Sequence, residues 1–214
     1  SDDWVEDRFI ESLFKCINEE VDIAQCGIRY CDENDKTLKI RQSDNQIFDM
    51  TIALISVIND SDISVTVWNK LYKRDIIGDI LFEKGKCHED AFWTWKVIMN
   101  AQKVAVINKP LYNYFQRSNS IMGTGYSLKR LDALDAALEK YTCLKDDVRF
   151  SATVKNNLIS SCMYHYQCTI KYLENDDYDY AKKAINNILK KTNISPFDNE
   201  LKSLWLRIFL INIA

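Results

Sequence analysis

Apolar residues recur every three or four positions through much of this chain, and that spacing predicts helices that bury one face. The first predicted helix covers residues 5–17. Asp2 and Asp3 would then stand at the helix N-terminus, where the helix dipole favours carboxylates. Three further helices are predicted before the middle of the chain, over residues 47–58, 68–72 and about 91–100.

Shorter apolar runs, bounded by polar or proline residues, predict strands. A buried strand is expected over residues 23–30, and the polar turn at 32–35 connects it to a short strand near 38–40, which together suggest a hairpin. Two more short strands are predicted at 104–107 and 111–115, and Pro110 is expected to divide them.

Beyond Ser127 the pattern becomes helical throughout. We therefore expect a helix-rich α/β protein with a division at this point, in which residues 1–126 form an α/β part and residues 127–214 form a helical subdomain. The apolar positions predict four helices there, around residues 131–141, 150–170, 181–189 and 204–209.

Composition narrows the possible functions. The chain has 214 residues, a formal charge of −3 and no lysine or arginine cluster, so a nucleic-acid partner is not expected. Its seven cysteines are odd in number and scattered, which is typical of reduced thiols in a cytoplasmic protein. The N-terminus shows neither a secretory signal pattern nor a membrane span.

Four polar clusters are candidates for chemistry, although each has an ordinary structural explanation. Asp2 and Asp3 could cap a helix, and the acids of His88-Glu89-Asp90 could occupy a first helical turn. Residues 68–72 could be core aromatics around one lysine, and residues 114–121 could be a polar loop. A zinc site at Cys87 and His88 is not expected, because no matching ligand pair occurs elsewhere.

The order of these clusters is more informative than any one of them. The run Ser-Asp-Asp-Trp, Trp-Asn-Lys-Leu-Tyr, His-Glu-Asp-Ala-Phe and Tyr-Phe-Gln-Arg-Ser-Asn-Ser-Ile resembles the family 2 glycosyltransferases of the GT-A fold. The resemblance covers roughly residues 1–135. It is closest to bacterial members that build capsular, exopolysaccharide and lipopolysaccharide chains. It implies a partial GT-A, Rossmann-like domain in residues 1–126 and a transferase that uses a nucleotide-sugar and a glycan acceptor.

The resemblance also assigns roles to individual residues. Asp2 would be the second acid of an Asp-x-Asp motif that holds Mn²⁺ or Mg²⁺ against the donor diphosphate, and Asp3 would support it. Asp90 would be the base that deprotonates the acceptor hydroxyl, with Glu89 beside it to position the acceptor or tune that base. Arg117 and Ser120 would reach the diphosphate.

Two side chains have less certain roles. His88 is assigned only a positioning role. For Lys70, a role in holding the loop beneath the acceptor site is favoured over contact with substrate.

In that family a nucleotide-binding sheet precedes the Ser-Asp-Asp-Trp segment, and the first acid of the metal motif lies before the serine. The resemblance therefore implies that the chain is a C-terminal portion, inactive when isolated. The donor expected for the whole enzyme is a UDP-sugar. The location expected is the cytoplasm, including the inner face of the membrane.

A different class of function is also open. The helices after Ser127 could form a binding module that docks a partner protein or a membrane surface, and the apolar stretch 204–211 motivates that alternative. Packing of this stretch against the chain's own core is favoured. Peripheral membrane association and self-association through an incomplete sheet edge both remain open.

Overall fold

The computed structural model describes residues 2–116 and 125–194. This part of the chain is an α/β fold with one mixed sheet, as the sequence predicted. The six strands are β1 Trp4–Val5, β2 Val21–Cys31, β3 Thr37–Arg41, β4 Gln46–Asp49, β5 Lys70–Tyr72 and β6 Lys103–Phe115. The α-helices are α1 Phe9–Phe14, α2 Met50–Ile58, α3 Arg74–Ile77, α4 Glu89–Met99, α5 Asp132–Leu144, α6 Ser151–Tyr172 and α7 Asn175–Thr192.

Two long parallel strands, β2 and β6, form the centre of the sheet. Each carries short antiparallel partners along its outer edge: β3 and β5 pair with β2, and β1 and β4 pair with β6. The first eight residues of β2 are all buried, as expected for a central strand covered on both faces. The short partners therefore protect the edges of the two strands that position the site.

β6 runs without interruption through Pro110, so the prediction of two separate strands was wrong. The pairing register shifts on either side of Gly27, which lies opposite Pro110. A Cβ atom at Gly27 would lie 3.2 Å from the Pro110 Cα and 2.8 Å from the Gln42 Cβ. Proline has no N–H to donate to a neighbouring strand, and the register shift at Gly27 allows β6 to continue through Pro110 without that bond.

Three predicted helices also differ from the structure. The helix over residues 5–17 is confined to Phe9–Phe14, because Trp4 and Val5 pair with β6. Asp2 and Asp3 therefore precede a strand and do not lie at a helix N-terminus. The helix over 47–58 begins only at Met50, after β4, and the helix over 68–72 is replaced by β5, which pairs with β2.

The strongly periodic helices were predicted correctly. Helix α4 begins at Glu89, and α6 and α7 follow the predicted apolar positions. The hairpin of β2 and β3 was also correct, with its turn closed by Asp35 in a left-handed conformation. The helix predicted around 204–209 lies outside the described residues.

The main core is shared between the sheet and the helices that follow residue 127. Ile23 and Val104 of the sheet belong to the same buried cluster as Leu144, Phe150 and Val154 from α5, α6 and the turn between them. The Asn157 amide also donates a hydrogen bond to the Ile58 carbonyl at 2.9 Å. Helices α5 and α6 thus pack directly against the α/β part of the chain.

None of the helices within residues 2–116 and 125–194 has the length and apolar character needed to cross a bilayer.

Candidate functional site

A cavity of about 600 Å³ opens beside the start of α4. One part of its wall is the segment from Lys86 to Asp90, and another is Tyr114 near the end of β6. The remaining described lining comes from the chain leading into α5: Gly125, Ser127, Lys129 and Arg130. The cavity therefore lies between the α/β part and the first helical elements after residue 127.

The two predicted catalytic residues, Glu89 and Asp90, lie together in this wall, in the first turn of α4. The helix begins directly after His88, whose backbone is left-handed with φ 59° and ψ 43°. That conformation is strained for a residue with a Cβ atom, and such strain concentrates at functional sites. It turns the chain sharply, so that the acids start a helix at the cavity.

Asp90 is the half-buried member of the pair, whereas Glu89 is exposed. Burial raises the pKa of the Asp90 carboxyl, and the neighbouring Glu89 charge raises it further. A hydrogen bond of 2.8 Å from the Ala91 backbone N–H to Asp90 Oδ1 opposes that rise. A carboxylate with a raised pKa is a better proton acceptor than an ordinary aspartate.

On the β6 side, the cavity is lined by Tyr114, which packs among other aromatic rings. Tyr114 stacks on Trp68, with ring centroids 5.5 Å apart and planes inclined by 10°. Trp68 also contacts Tyr112 at a centroid distance of 4.1 Å, and Tyr30 meets Tyr114 edge to face. Within residues 68–72, Trp68 is therefore packed against other rings, as the structural interpretation of that segment expected.

Lys70 and Asn69 hold the loop that precedes β5. The buried Lys70 ammonium donates to the Ser64 carbonyl at 2.8 Å and to the Asn69 Oδ1 at 3.1 Å, and it also bonds the Thr66 carbonyl. Burial lowers the pKa of Lys70 to about 7. These contacts agree with the favoured structural role for Lys70, which does not line the cavity.

The two predicted metal-binding acids behave differently. Asp2 is exposed, whereas Asp3 is partly buried. Asp3 Oδ2 accepts a hydrogen bond from the Tyr112 hydroxyl at 2.9 Å, and Oδ1 accepts one from the Phe115 backbone N–H at 3.0 Å. Phe115 follows the cavity residue Tyr114, so Asp3 ties the N-terminus to the strand end at the site.

The donor set limits the kind of metal site that could form. Within residues 2–116 and 125–194, no three histidine, cysteine or acidic side chains come together as a metal-binding group. Mg²⁺ is commonly held by one or two carboxylates together with substrate phosphates and water. Asp2 and Asp3 are two adjacent carboxylates, the donor type that such a site uses, but neither is among the residues that line the cavity. The described residues do not form a cage made of protein ligands alone.

The two predicted diphosphate ligands, Arg117 and Ser120, lie outside the described residues. Besides Lys86, the structure brings two more cations to the cavity that the sequence did not single out, Lys129 and Arg130. They belong to a 3₁₀ turn, Leu128–Leu131, just before α5. No motif marks them, and only the packing of this turn near α4 reveals their position.

The known proteins that are similar to this chain carry names of one enzyme class. GlyA of Streptococcus pneumoniae serotype 4 (strain ATCC BAA-334 / TIGR4) is 29% identical over 154 residues, which cover 67% of this chain and 22% of GlyA. GlyG of the same strain is 26% identical over 60% of this chain and 46% of GlyG. Both are glycosyltransferases by name. No protein-family model matches the chain.

A third relative covers nearly the whole chain. EpsH of Bacillus subtilis (strain 168), which is named provisionally as a glycosyltransferase, is 28% identical over 96% of this chain and 65% of EpsH. The chain is thus similar to glycosyltransferases over most of its length. It spans less than two thirds of the length of each of these relatives.

Proposed function

We propose that these residues form the acceptor-side part of an inverting, metal-dependent glycosyltransferase that extends a cell-surface glycan. The observation that carries the proposal is the half-buried Asp90 at the cavity wall, whose pKa is raised by burial. The names of the three relatives support the class of reaction. The order of the sequence clusters supports the finer assignment to the GT-A family 2 enzymes and to a UDP-sugar donor.

In the proposed reaction, the oxygen of an acceptor hydroxyl attacks the anomeric carbon of the donor sugar. The bond between that carbon and the phosphate oxygen breaks, and the nucleoside diphosphate leaves with the bonding electrons. Asp90 accepts the hydroxyl proton as the new glycosidic bond forms, so the carboxylate becomes neutral and the charges balance. One displacement from the opposite face inverts the configuration of the sugar.

The leaving diphosphate must be stabilised as its charge increases. Asp2, supported by Asp3, would hold a Mn²⁺ or Mg²⁺ ion that supplies this positive charge when bound. Lys129 and Arg130 line the same cavity as Asp90 and would add cationic side chains near the phosphates. Tyr114 would offer a ring edge or face to a sugar, since aromatic groups pack against apolar ring surfaces.

The stereochemistry of the product tests this proposal. The full-length protein is incubated with UDP-sugars of known α configuration, glycan acceptors and Mn²⁺, and the new linkage is assigned by nuclear magnetic resonance. We expect a β-linked product. An α-linked product would refute the single-displacement mechanism, and no transfer from any nucleotide-sugar would refute the glycosyltransferase assignment. Asp79→Asn, an exposed site on the loop after α3, is a control that should transfer like wild type.

A further inference from the structure

The start of α5 is bonded directly to the chain segment that precedes the two cavity acids. Asp132 is the first residue of α5, and its Oδ2 accepts a hydrogen bond from the Cys87 backbone N–H at 2.9 Å. Its other oxygen, Oδ1, accepts one from the Lys86 ammonium at 2.8 Å. The two oxygens of one carboxylate therefore hold two consecutive residues of the cavity wall.

Two further ion pairs join α5 to this segment and to α4. The Lys86 ammonium also contacts Asp135 at 2.8 Å, and Lys96 of α4 pairs with Glu139 of α5 at 2.6 Å. These pairs are partly exposed, so each contributes little to stability by itself. Asp132 differs from these other two acids of α5 because it bonds the backbone of the segment as well as a side chain.

The bond to Cys87 lies directly before the turn that carries the proposed base. Cys87 precedes His88 in its left-handed conformation, and Glu89 and Asp90 come immediately after that histidine. The Ala91 N–H donates to the His88 carbonyl at 2.9 Å and to Asp90 Oδ1 at 2.8 Å. A shift at Cys87 would thus pass through a strained turn directly into the first helical turn that carries Asp90.

We propose that Asp132 is a positioning residue that fixes Asp90 through the Cys87 backbone, so that the helical part after residue 127 helps to build the catalytic wall. This inference rests on the proposed function, because it takes Asp90 as the base. Burial would raise the pKa of Asp132, but hydrogen bonds from Lys86 and from the Cys87 N–H outweigh that effect and lower it. The acceptor thus stays ionised at neutral pH.

The test separates the two bonds of Asp132. Asp132→Ala removes both, whereas Asp132→Asn keeps an amide oxygen that can accept from the Cys87 N–H and loses the charge and the bond from Lys86. Asp135→Ala is the matched control, since Asp135 contacts Lys86 but not the backbone. Asp132→Ser is a second deletion variant that keeps a residue favourable at a helix start if the alanine variant folds poorly.

Sugar transfer by the full-length protein is measured as kcat and donor KM for each variant, with thermal unfolding in parallel. We expect kcat to fall at least about tenfold in Asp132→Ala and Asp132→Ser with donor KM changed less than about twofold, because a misplaced base slows the chemical step. Asp132→Asn should retain kcat within about threefold, and Asp135→Ala should match wild type.

Amide hydrogen exchange at Cys87 gives a second readout that does not depend on activity. Protection should be lost in Asp132→Ala and kept in Asp132→Asn. If wild type transfers sugar and Asp132→Ala keeps both its kcat and its Cys87 protection, the positioning role is refuted. Equal losses of kcat in Asp132→Asn and Asp132→Ala would also refute it, since the charge and the Lys86 bond would then explain the effect without the Cys87 bond. Failure of wild type to transfer sugar would instead refute the proposed function.

Discussion

Asp3 and Tyr112 are joined by a hydrogen bond of 2.9 Å from the tyrosine hydroxyl to Asp3 Oδ2. The other oxygen of Asp3 accepts the Phe115 backbone N–H at 3.0 Å. These bonds fasten the N-terminal residues to β6, next to Tyr114 in the cavity wall. Asp3 therefore has a structural task in holding the N-terminal residues against the end of β6.

Replacing the two acids should separate stability from metal binding. Asp3→Ala leaves the Tyr112 hydroxyl and the Phe115 N–H without this acceptor, so the free energy of unfolding should fall by about 2 kcal/mol in urea denaturation. Asp2→Ala should change it by less than about 0.5 kcal/mol.

The Asp2→Ala variant also tests the proposed metal site. In the full-length protein, calorimetry with Mn²⁺ and UDP should show at least about tenfold weaker metal binding for Asp2→Ala, because it removes the carboxylate proposed as ligand. Unchanged Mn²⁺ affinity in Asp2→Ala would argue against that ligand. Tyr112→Phe serves as the control, since it removes one Asp3 contact without removing a carboxylate.

The buried His165, which contacts the partly buried Tyr126, should make stability depend on pH. The tyrosine hydroxyl and His165 Nδ1 are 2.6 Å apart, and burial lowers the pKa of His165 to about 4. The unfolded chain binds a proton near pH 6.5, whereas the folded chain resists it down to about pH 4. Stability is therefore complete above pH 6.5 and is lost as pH falls towards 4.

His165→Asn keeps an acceptor near the Nδ1 position but does not titrate. Between pH 7.5 and pH 5, the free energy of unfolding of wild type should fall by about 2 kcal/mol more than that of His165→Asn. Urea denaturation at the two pH values measures the difference. Parallel losses in both proteins would show that His165 titrates normally in the fold.

The loop before β5 should depend strongly on Asn69, which is 1% exposed. Its amide donates to the Cys26 carbonyl at 2.8 Å, and its Oδ1 accepts from Thr66 at 3.0 Å and from Lys70 at 3.1 Å. Asn69→Ala leaves buried polar groups unsatisfied, so the free energy of unfolding should fall by about 3 kcal/mol.

Asn108→Ala is the control for that variant, because Asn108 is exposed and its side-chain amide donates to Asp44 over a long 3.3 Å. Its backbone N–H, which donates to Asn45, is kept in the alanine variant. This substitution should cost less than about 0.5 kcal/mol. Equal effects of the two substitutions in thermal unfolding would mean that the Asn69 network does not support the loop.

The parts of the fold that the sequence predicted are those with long apolar periods. Helix α6 spans Ser151–Tyr172 and buries Val154, Leu158 and Cys162 at the predicted spacing. Strands β1 and β5 have two and three residues, too few to show an alternation of apolar and polar positions. Their conformation is decided by pairing with the long strands β6 and β2. Gly27 was the available signal for the irregularity at Pro110, since a glycine within a strand often marks close backbone approach.

The candidate site was predictable only where residues are adjacent in sequence. Glu89 and Asp90 were singled out because they belong to the His-Glu-Asp-Ala-Phe cluster of the resemblance, and the apolar pattern that follows predicted the helix they begin. Lys129 and the positioning residue Asp132 lie in the 3₁₀ turn and in α5, far from Glu89 in the sequence. Only tertiary packing brings them to the cavity wall. A single sequence without a motif carries no signal for such a contact.

The most direct test of the central claim is the sugar-transfer rate of Asp90→Asn in the full-length protein, measured beside donor binding and beside Glu89→Gln. Asparagine matches the carboxylate in shape but cannot accept the proton, so kcat should fall at least about 100-fold while donor affinity stays within about threefold. Glu89→Gln should lose less. Transfer by Asp90→Asn at the wild-type rate would contradict the account.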